Sequence, residues 1–304
     1  MRKVLIYIAA LLMPFVASAQ ALPFVSADYS AGSLAKAGAN STEITQMAFA
    51  SFENIAAVPY SDKSADFALG YTLWQPGAVS SNVIIAGGSY NVANKLGLAL
   101  GMTCGMLPEY DVINGQGSNK GTFTPSELQV KAGASYRFLP FLSAGVNLGY
   151  ASSSLAEGVS YGAFAADVFL MSKFADYKVA LGLTDLGSAV ISASDVKFSL
   201  PSALTLGLGY EKAFADIHKV DAALDLDYYF EGQVAASIGA EYTFNNLVSF
   251  CAGYRYGGES VIPSYASLGL GGQFCGVSLD LAYVLPMAKS PMSNTLSLAI
   301  GYSF

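Results

Sequence analysis

From Ala65 to Phe304 the chain alternates large apolar residues with small or polar ones at a period of two. That spacing puts the two kinds of side chain on opposite faces of β-strands. Leu204, Leu206, Leu208 and Tyr210 share one face, while Thr205, Gly207, Gly209 and Glu211 share the other. Val220, Leu224, Leu226 and Tyr228 oppose Asp221, Asp225 and Asp227. Strands are predicted over 65–75, 82–92, 95–106, 126–138, 141–152, 160–174, 177–187, 200–212, 218–230, 233–244, 247–257, 264–274, 276–286 and 294–304. Connections after even-numbered strands are brief, such as Ala93-Asn94, Leu139-Pro140 and Asn245-Asn246. Most connections after odd-numbered strands are longer, 107–125 being the longest. Short turns at one end and long loops at the other are the pattern of a transmembrane barrel. The expected fold is all-β: a transmembrane antiparallel β-barrel of about 14 strands with a short N-terminal hatch-like segment. A soluble periplasmic β-sandwich is the rival, because alternation alone fits it too.

The N-terminus sets the compartment. Arg2 and Lys3 precede an apolar run from Val4 to Val16, and Ala17-Ser18-Ala19 offers a cleavage site. This reads as a signal peptide over residues 1–19, too short for a spanning helix. Residues 20–62 read as a hatch-like segment, with weak helical spacing at Ile44, Met47, Ala48 and Phe52. The barrel is assigned to 63–304. Its last strand alternates Leu296, Leu298, Ile300, Tyr302 and Phe304 with small residues and is expected to pair with the first strand. Tyr302 and Phe304 then stand as the assembly signal.

Composition sharpens this. The chain is 53% hydrophobic and 12% charged, against about 25% charged in ordinary soluble domains. Beyond the leader no apolar run reaches a spanning helix, so strands are left to cross a bilayer. Net charge is −7, falling by two to −9 when Arg2 and Lys3 leave with the leader. With no Lys/Arg cluster, nucleic acid is excluded as a partner. Cys104, Cys251 and Cys275 lack CxxC spacing and read as buried thiols in strands.

Candidate chemistry is sparse. The single histidine, His218, is expected in a turn. There is no G-x-S-x-G, H-E-x-x-H or G-x-x-x-x-G-K-[ST] motif. No catalytic residue, cofactor or metal is assigned, and Asp225-x-Asp227 on one strand does not make a calcium cage. Lys131, Arg137, Glu211, Asp221, Asp225, Asp227, Glu241, Arg255 and Asp280 lie on the small or polar faces and are the candidate lumen-lining residues. They either select a permeant or grip the hatch, or they solvate the interior as a charge network. Trp74 and tyrosines such as Tyr71, Tyr136, Tyr254 and Tyr302 are expected in interfacial girdles.

Four stretches in order carry a resemblance. Ser30–Tyr71 (SAGSLAKAGANSTEITQMAFASFENIAAVPYSDKSADFALGY) has Ala37-Gly38-Ala39 where a glycine-rich run would stand, and Asn54-Ile55-Ala56 for an Asn-Pro-Ala element. LPSALTLGLGYEKAF (Leu200–Phe214), GAEYTFNNLVSFCAGYRYG (Gly239–Gly257) and YASLGLGGQFCGVSLDLAY (Tyr265–Tyr283) follow. Together these resemble the PorV/PorQ family of Bacteroidetes outer-membrane proteins, which are similar in fold to FadL, a fourteen-stranded fatty-acid channel. The resemblance implies a non-enzymatic barrel in the outer membrane of a Gram-negative, Bacteroidetes-like bacterium, supporting type IX protein secretion or surface attachment of cargo. The partners it implies are outer-membrane lipid, the barrel-assembly machinery, and type IX secretion components or secreted cargo. The alternative is a FadL-like passive channel for hydrophobic small molecules.

Overall fold

The computed structural model describes residues 21–304 except 77, 192–196, 216, 259–261 and 288–289. The leader assigned to 1–19 lies outside the described residues. Among them, fourteen strands close an antiparallel barrel in sequence order. They are β1 (Ala65–Trp74), β2 (Ser81–Val92), β3 (Leu96–Met106), β4 (Ser126–Leu139), β5 (Leu142–Ala156), β6 (Val159–Phe174) and β7 (Tyr177–Gly187). The second half runs β8 (Ala203–Phe214), β9 (His218–Tyr229), β10 (Val234–Phe244), β11 (Val248–Tyr256), β12 (Tyr265–Phe274), β13 (Val277–Val284) and β14 (Leu296–Ser303). Closure is between β1 and β14, from Asp66 opposite Ser303 to Leu73 opposite Leu296. The Phe304 carbonyl accepts from the Ser64 and Ala65 amides at 2.6 and 3.0 Å. The soluble sandwich is thereby set aside.

Alternation decides which face each residue takes. Leu296, Leu298, Ile300 and Tyr302 point outward, and Ser297, Ala299, Gly301 and Ser303 point inward. Outward Leu148, Phe164 and Phe274 are each at least 66% exposed, and their counterparts on every strand form a continuous apolar belt. An apolar surface of that extent needs lipid rather than water around it. No described helix is long and apolar enough to cross a membrane. Tight turns define one end: Ala93-Asn94 and Asn245-Asn246 both have two successive residues at positive φ, between 52° and 54°, the backbone that matches strand twist in a two-residue hairpin.

The long connections form the other, loop side. The longest contains its own hairpin, Tyr110–Ile113 paired with Asn119–Phe123. The Asn114 side-chain oxygen closes it by accepting from the Gln116 and Ser118 amides. Val190–Ile191 pairs with Lys197–Phe198 in another loop.

Other expectations need correction. His218 opens β9 instead of sitting in a turn, its Nδ1 at 2.7 Å from the Tyr242 hydroxyl. Cys275 is exposed in the β12–β13 turn at φ 49°, not buried in a strand, while Cys104 and Cys251 are half-buried; all three are free. Residues 44–47 are irregular and 48–52 form turns, with wall carboxylates such as Asp66 taking backbone donors: Met47 N–H donates to Asp66 Oδ2 at 2.8 Å. The helix of the segment is α1 (Ala31–Ala35), capped by Ser30, whose hydroxyl accepts from Ser33 N–H.

Candidate functional site

Residues 21–62 fold into the lumen as a plug. It consists of a 3-10 turn at Pro23–Ser26, α1, and a 3-10 helix at Ile55–Tyr60, joined by turns. Asn54 starts the last of these, accepting from Ala56 N–H at 2.9 Å and donating to the Ser41 carbonyl at 2.6 Å. The wall receives the plug on inward-facing glycines. Gly239 and Gly253, opposite one another on β10 and β11, lie beneath Lys36; Gly269 lies beneath Ala35, Gly101 beneath Phe52, and Gly145 beneath Ile55. A Cβ at any of these positions would run into the plug. Inward hydroxyls satisfy plug carbonyls: Thr72 donates to Tyr29, Ser143 to Ala56 and Ser267 to Ala35, at 2.6 to 3.1 Å. A buried backbone needs such partners.

Charge is matched across the same seam. The Lys36 ammonium pairs with Glu43 of the plug and faces Asp221 and Glu241 of the wall, each at 4.0 Å. Lys178 bridges Asp221 at 2.5 Å and Glu211 at 3.3 Å, and Lys219 reaches Glu211 at 3.4 Å. Lys131 sits 2.9 Å from both Asp167 and Asp185. Arg255 pairs with Asp227 at 3.2 Å and donates to Ser237 and the Tyr229 hydroxyl. Asp225 accepts from the Asn40 and Ser41 amides and the Ser41 hydroxyl. Asp280 accepts from Gln46 at 3.0 Å, and Arg137 lies 5.3 Å from the Tyr60 ring centroid. All nine candidate lumen residues therefore face the interior, and most of them touch the plug or a group that does.

Within the plug, burial disfavours charge on both Lys36 and Glu43, yet their mutual attraction outweighs it. Lys36 is held well above the usual lysine range and Glu43 well below the usual carboxylate range. Among the described residues, Glu53 has no such partner. Burial pushes its carboxyl up to about 8, against a hydrogen bond from Ser30. Burial likewise raises Asp28, with Arg255 opposing it.

Two cavities beside the plug bear on function. A polar one of about 110 Å³ lies between plug and wall, lined by Glu53, Lys131, Asp185, Asp225, Asp227 and Arg255. The second, about 220 Å³, lies at the loop side: Gln75 and Val79 come from the β1–β2 connection, Leu107 from β3–β4 and Ile262 from β11–β12. Phe24 and Tyr29 of the plug and Trp74, Ser81 and Glu127 of the wall also line it. This vestibule is largely apolar. Tyr29 lines both cavities. Trp74 thus faces inward, 7% exposed, instead of joining a girdle, because the even positions of β1 are the inward ones. Among the described residues no group of three or more His, Cys, Asp or Glu is placed to hold a metal.

Comparison with protein-family models finds no match, and comparison with curated proteins finds none either. Solved structures do match. The toluene transporter TodX of Pseudomonas putida superposes with a TM-score of 0.65 at 15% identity, over 90% of this chain and 97% of that one. The toluene transporter TbuX of Ralstonia pickettii gives 0.62 at 13%, over 90% and 97%. A FadL homologue of Pseudomonas aeruginosa gives 0.53 at 12%, over 90% and 98%. The fold is that of the FadL-like outer-membrane barrels. At such identities the likeness concerns architecture alone. The resemblance to the PorV/PorQ family gains no support from these matches.

Several charged residues of this FadL-like barrel escaped the sequence reading. Lys178 and Asp167 sit on the inward parity of their strands and could have been read from it. Asp185 could not. A bulge between Ala166 and Val168 inserts it opposite Asp167, at φ 53°, and turns its carboxylate toward Lys131. Lys36 and Glu43 belong to irregular chain, where no period marks which side chain meets which.

Proposed function

We propose that this FadL-like barrel lies in the outer membrane of a Gram-negative bacterium and admits hydrophobic small molecules at its loop-side vestibule, without catalysing a reaction. The observation that carries this is the apolar cavity of about 220 Å³ between the long connections and the plug. A concave, mostly apolar pocket with one or two polar groups is how proteins receive small organic ligands. An engineered apolar cavity of roughly 150 Å³ holds benzene, so a monoaromatic solute fits the available volume. The architecture shared with two toluene transporters points the same way. Lipid covers the outer belt, and the outward rings of Tyr302 and Phe304 present the terminal strand to the barrel-assembly machinery. Deleting the gene and following uptake of labelled toluene tests the proposal. A several-fold fall restored by the intact gene is expected, and unchanged uptake overturns it.

A second reading is support of type IX secretion or cargo attachment in a Bacteroidetes-like cell. It is favoured by the close seating of the plug on wall glycines, which leaves the loops as the surface for a partner. Loss of surface display of secreted proteins, with solute uptake intact, would select it.

A further inference from the structure

Among the described residues, the vestibule contains one charged group without a partner. Glu127 stands on the inward parity of β4, directly opposite Gly105 of β3. Gly105 has no side chain, and the carboxylate lies over it: a Cβ built there would be 3.3 Å from Glu127 Oε2. Among the described residues no ion pair or hydrogen bond reaches this carboxylate, and no cation offsets its burial. The inward cations nearby are already matched. Lys131, Lys178 and Arg255 each sit on carboxylates of their own. The rest of the vestibule lining is mostly apolar or aromatic, Phe24, Tyr29 and Trp74 among it, with Gln75 and Ser81 as uncharged polar groups.

We infer that the vestibule prefers hydrophobic solutes bearing an ammonium group over those bearing a carboxylate. This rests on the reading of the vestibule as the solute site. A half-buried carboxylate without a partner is costly, and a ligand cation would relieve that cost. The same charge repels an anionic head group, which is discrimination by mismatch as much as by attraction. Phe24, Tyr29 and Trp74 add rings whose faces attract cations. The apolar part of the ligand fills the remainder, so a single aromatic ring on a short aminoalkyl chain matches both volume and charge.

Trp74 is the chain's single tryptophan and lines the cavity, so its emission reports on the site without a label. The folded protein in detergent is titrated with 2-phenylethylamine, 3-phenylpropanoate and uncharged propylbenzene. The amine is expected to bind at least about tenfold more tightly than the acid. Glu127→Gln should cut that ratio by about tenfold while leaving propylbenzene within about twofold. Equal binding of amine and acid to the natural protein overturns the inference, whether or not the variant folds. So does an unchanged ratio in a folded Glu127→Gln variant. If propylbenzene binds without any charge preference, the vestibule stands and only the preference fails. If none of the three is bound, the solute-site reading falls with it.

Discussion

Tyr29 of the plug and Trp74 of β1 meet edge to face, their ring centroids 4.8 Å apart and their planes at 67°. The contact joins the irregular N-terminal segment to the first strand at the loop-side mouth. Trp74 emission should therefore be blue-shifted and protected from acrylamide. Tyr29→Ala removes an aromatic pair worth about 0.5–1.5 kcal/mol beyond its area. A red shift and several-fold greater quenching are expected, and an unchanged spectrum would place Trp74 away from the plug.

Glycine at 253 is required by close approach, since the Lys36–Ala37 backbone lies directly over it. Gly253→Val overpacks that seam, at a cost of about 1–3 kcal/mol. The lesion is expected in the plug before the barrel: trypsin should cut after Lys36, buried in the natural protein, while heat-dependent gel migration of the barrel persists. Gly272 has only the Leu247 carbonyl near it, at 3.9 Å. Gly272→Val should leave Lys36 protected.

The barrel was legible in the sequence because a lipid-facing strand must alternate and a tight turn must be short. These constraints repeat fourteen times and correct one another, so the pairing of β1 with β14 follows, though its register does not. The inward charges on regular strands were legible for the same reason. Trp74 was misread because residue type suggested a girdle, although the parity of Phe67, Leu69 and Tyr71 already placed it inward. The plug was legible only in outline. Its conformation is set by wall groups such as Asp66, Asp225 and Thr72, distant in sequence, and by glycines that make room without announcing for what. Glu127 is not legible in the sequence, because a lone glutamate on a strand has no partner to mark it.

Lys36 joins the plug to the wall by charge. Lys36→Met would leave Glu43, Asp221 and Glu241 facing one another without their shared cation. Removing one partner of a buried ion pair costs about 3–5 kcal/mol. Thermal unfolding of the variant should move down several degrees at neutral pH. Adding Glu43→Gln should recover part of the loss, because it removes the carboxylate closest to Lys36. A double variant no more stable than the single one would show that Glu43 is not paired as described.

Glu53 makes plug seating depend on pH, with a sign opposite to the usual carboxylate. Its folded value is raised from 4.5 to about 8, chiefly by burial, with the negative charges of Asp28 and Glu43 adding to it. Between these values the unfolded segment releases the proton and the seated plug keeps it. Stability therefore falls as pH rises through that window and levels off above it. Glu43 behaves in the opposite way: its depressed value contributes stability above the ordinary carboxylate range, lost only on acidification below it. Across the intervening range Glu43 stays charged, and Glu53 contributes a falling slope, with Asp28 raised in the same direction. Acrylamide quenching of Trp74 and thermal unfolding, compared at about pH 5.5 and about pH 8.5, read this directly. The natural protein should be better protected and more stable at the lower pH. Glu53→Gln, which keeps the hydrogen bond from Ser30 without a proton to lose, should measurably reduce the difference. A natural protein equally protected at both values would mean that Glu53 ionises in place, and that the plug tolerates an unpaired charge beneath the vestibule.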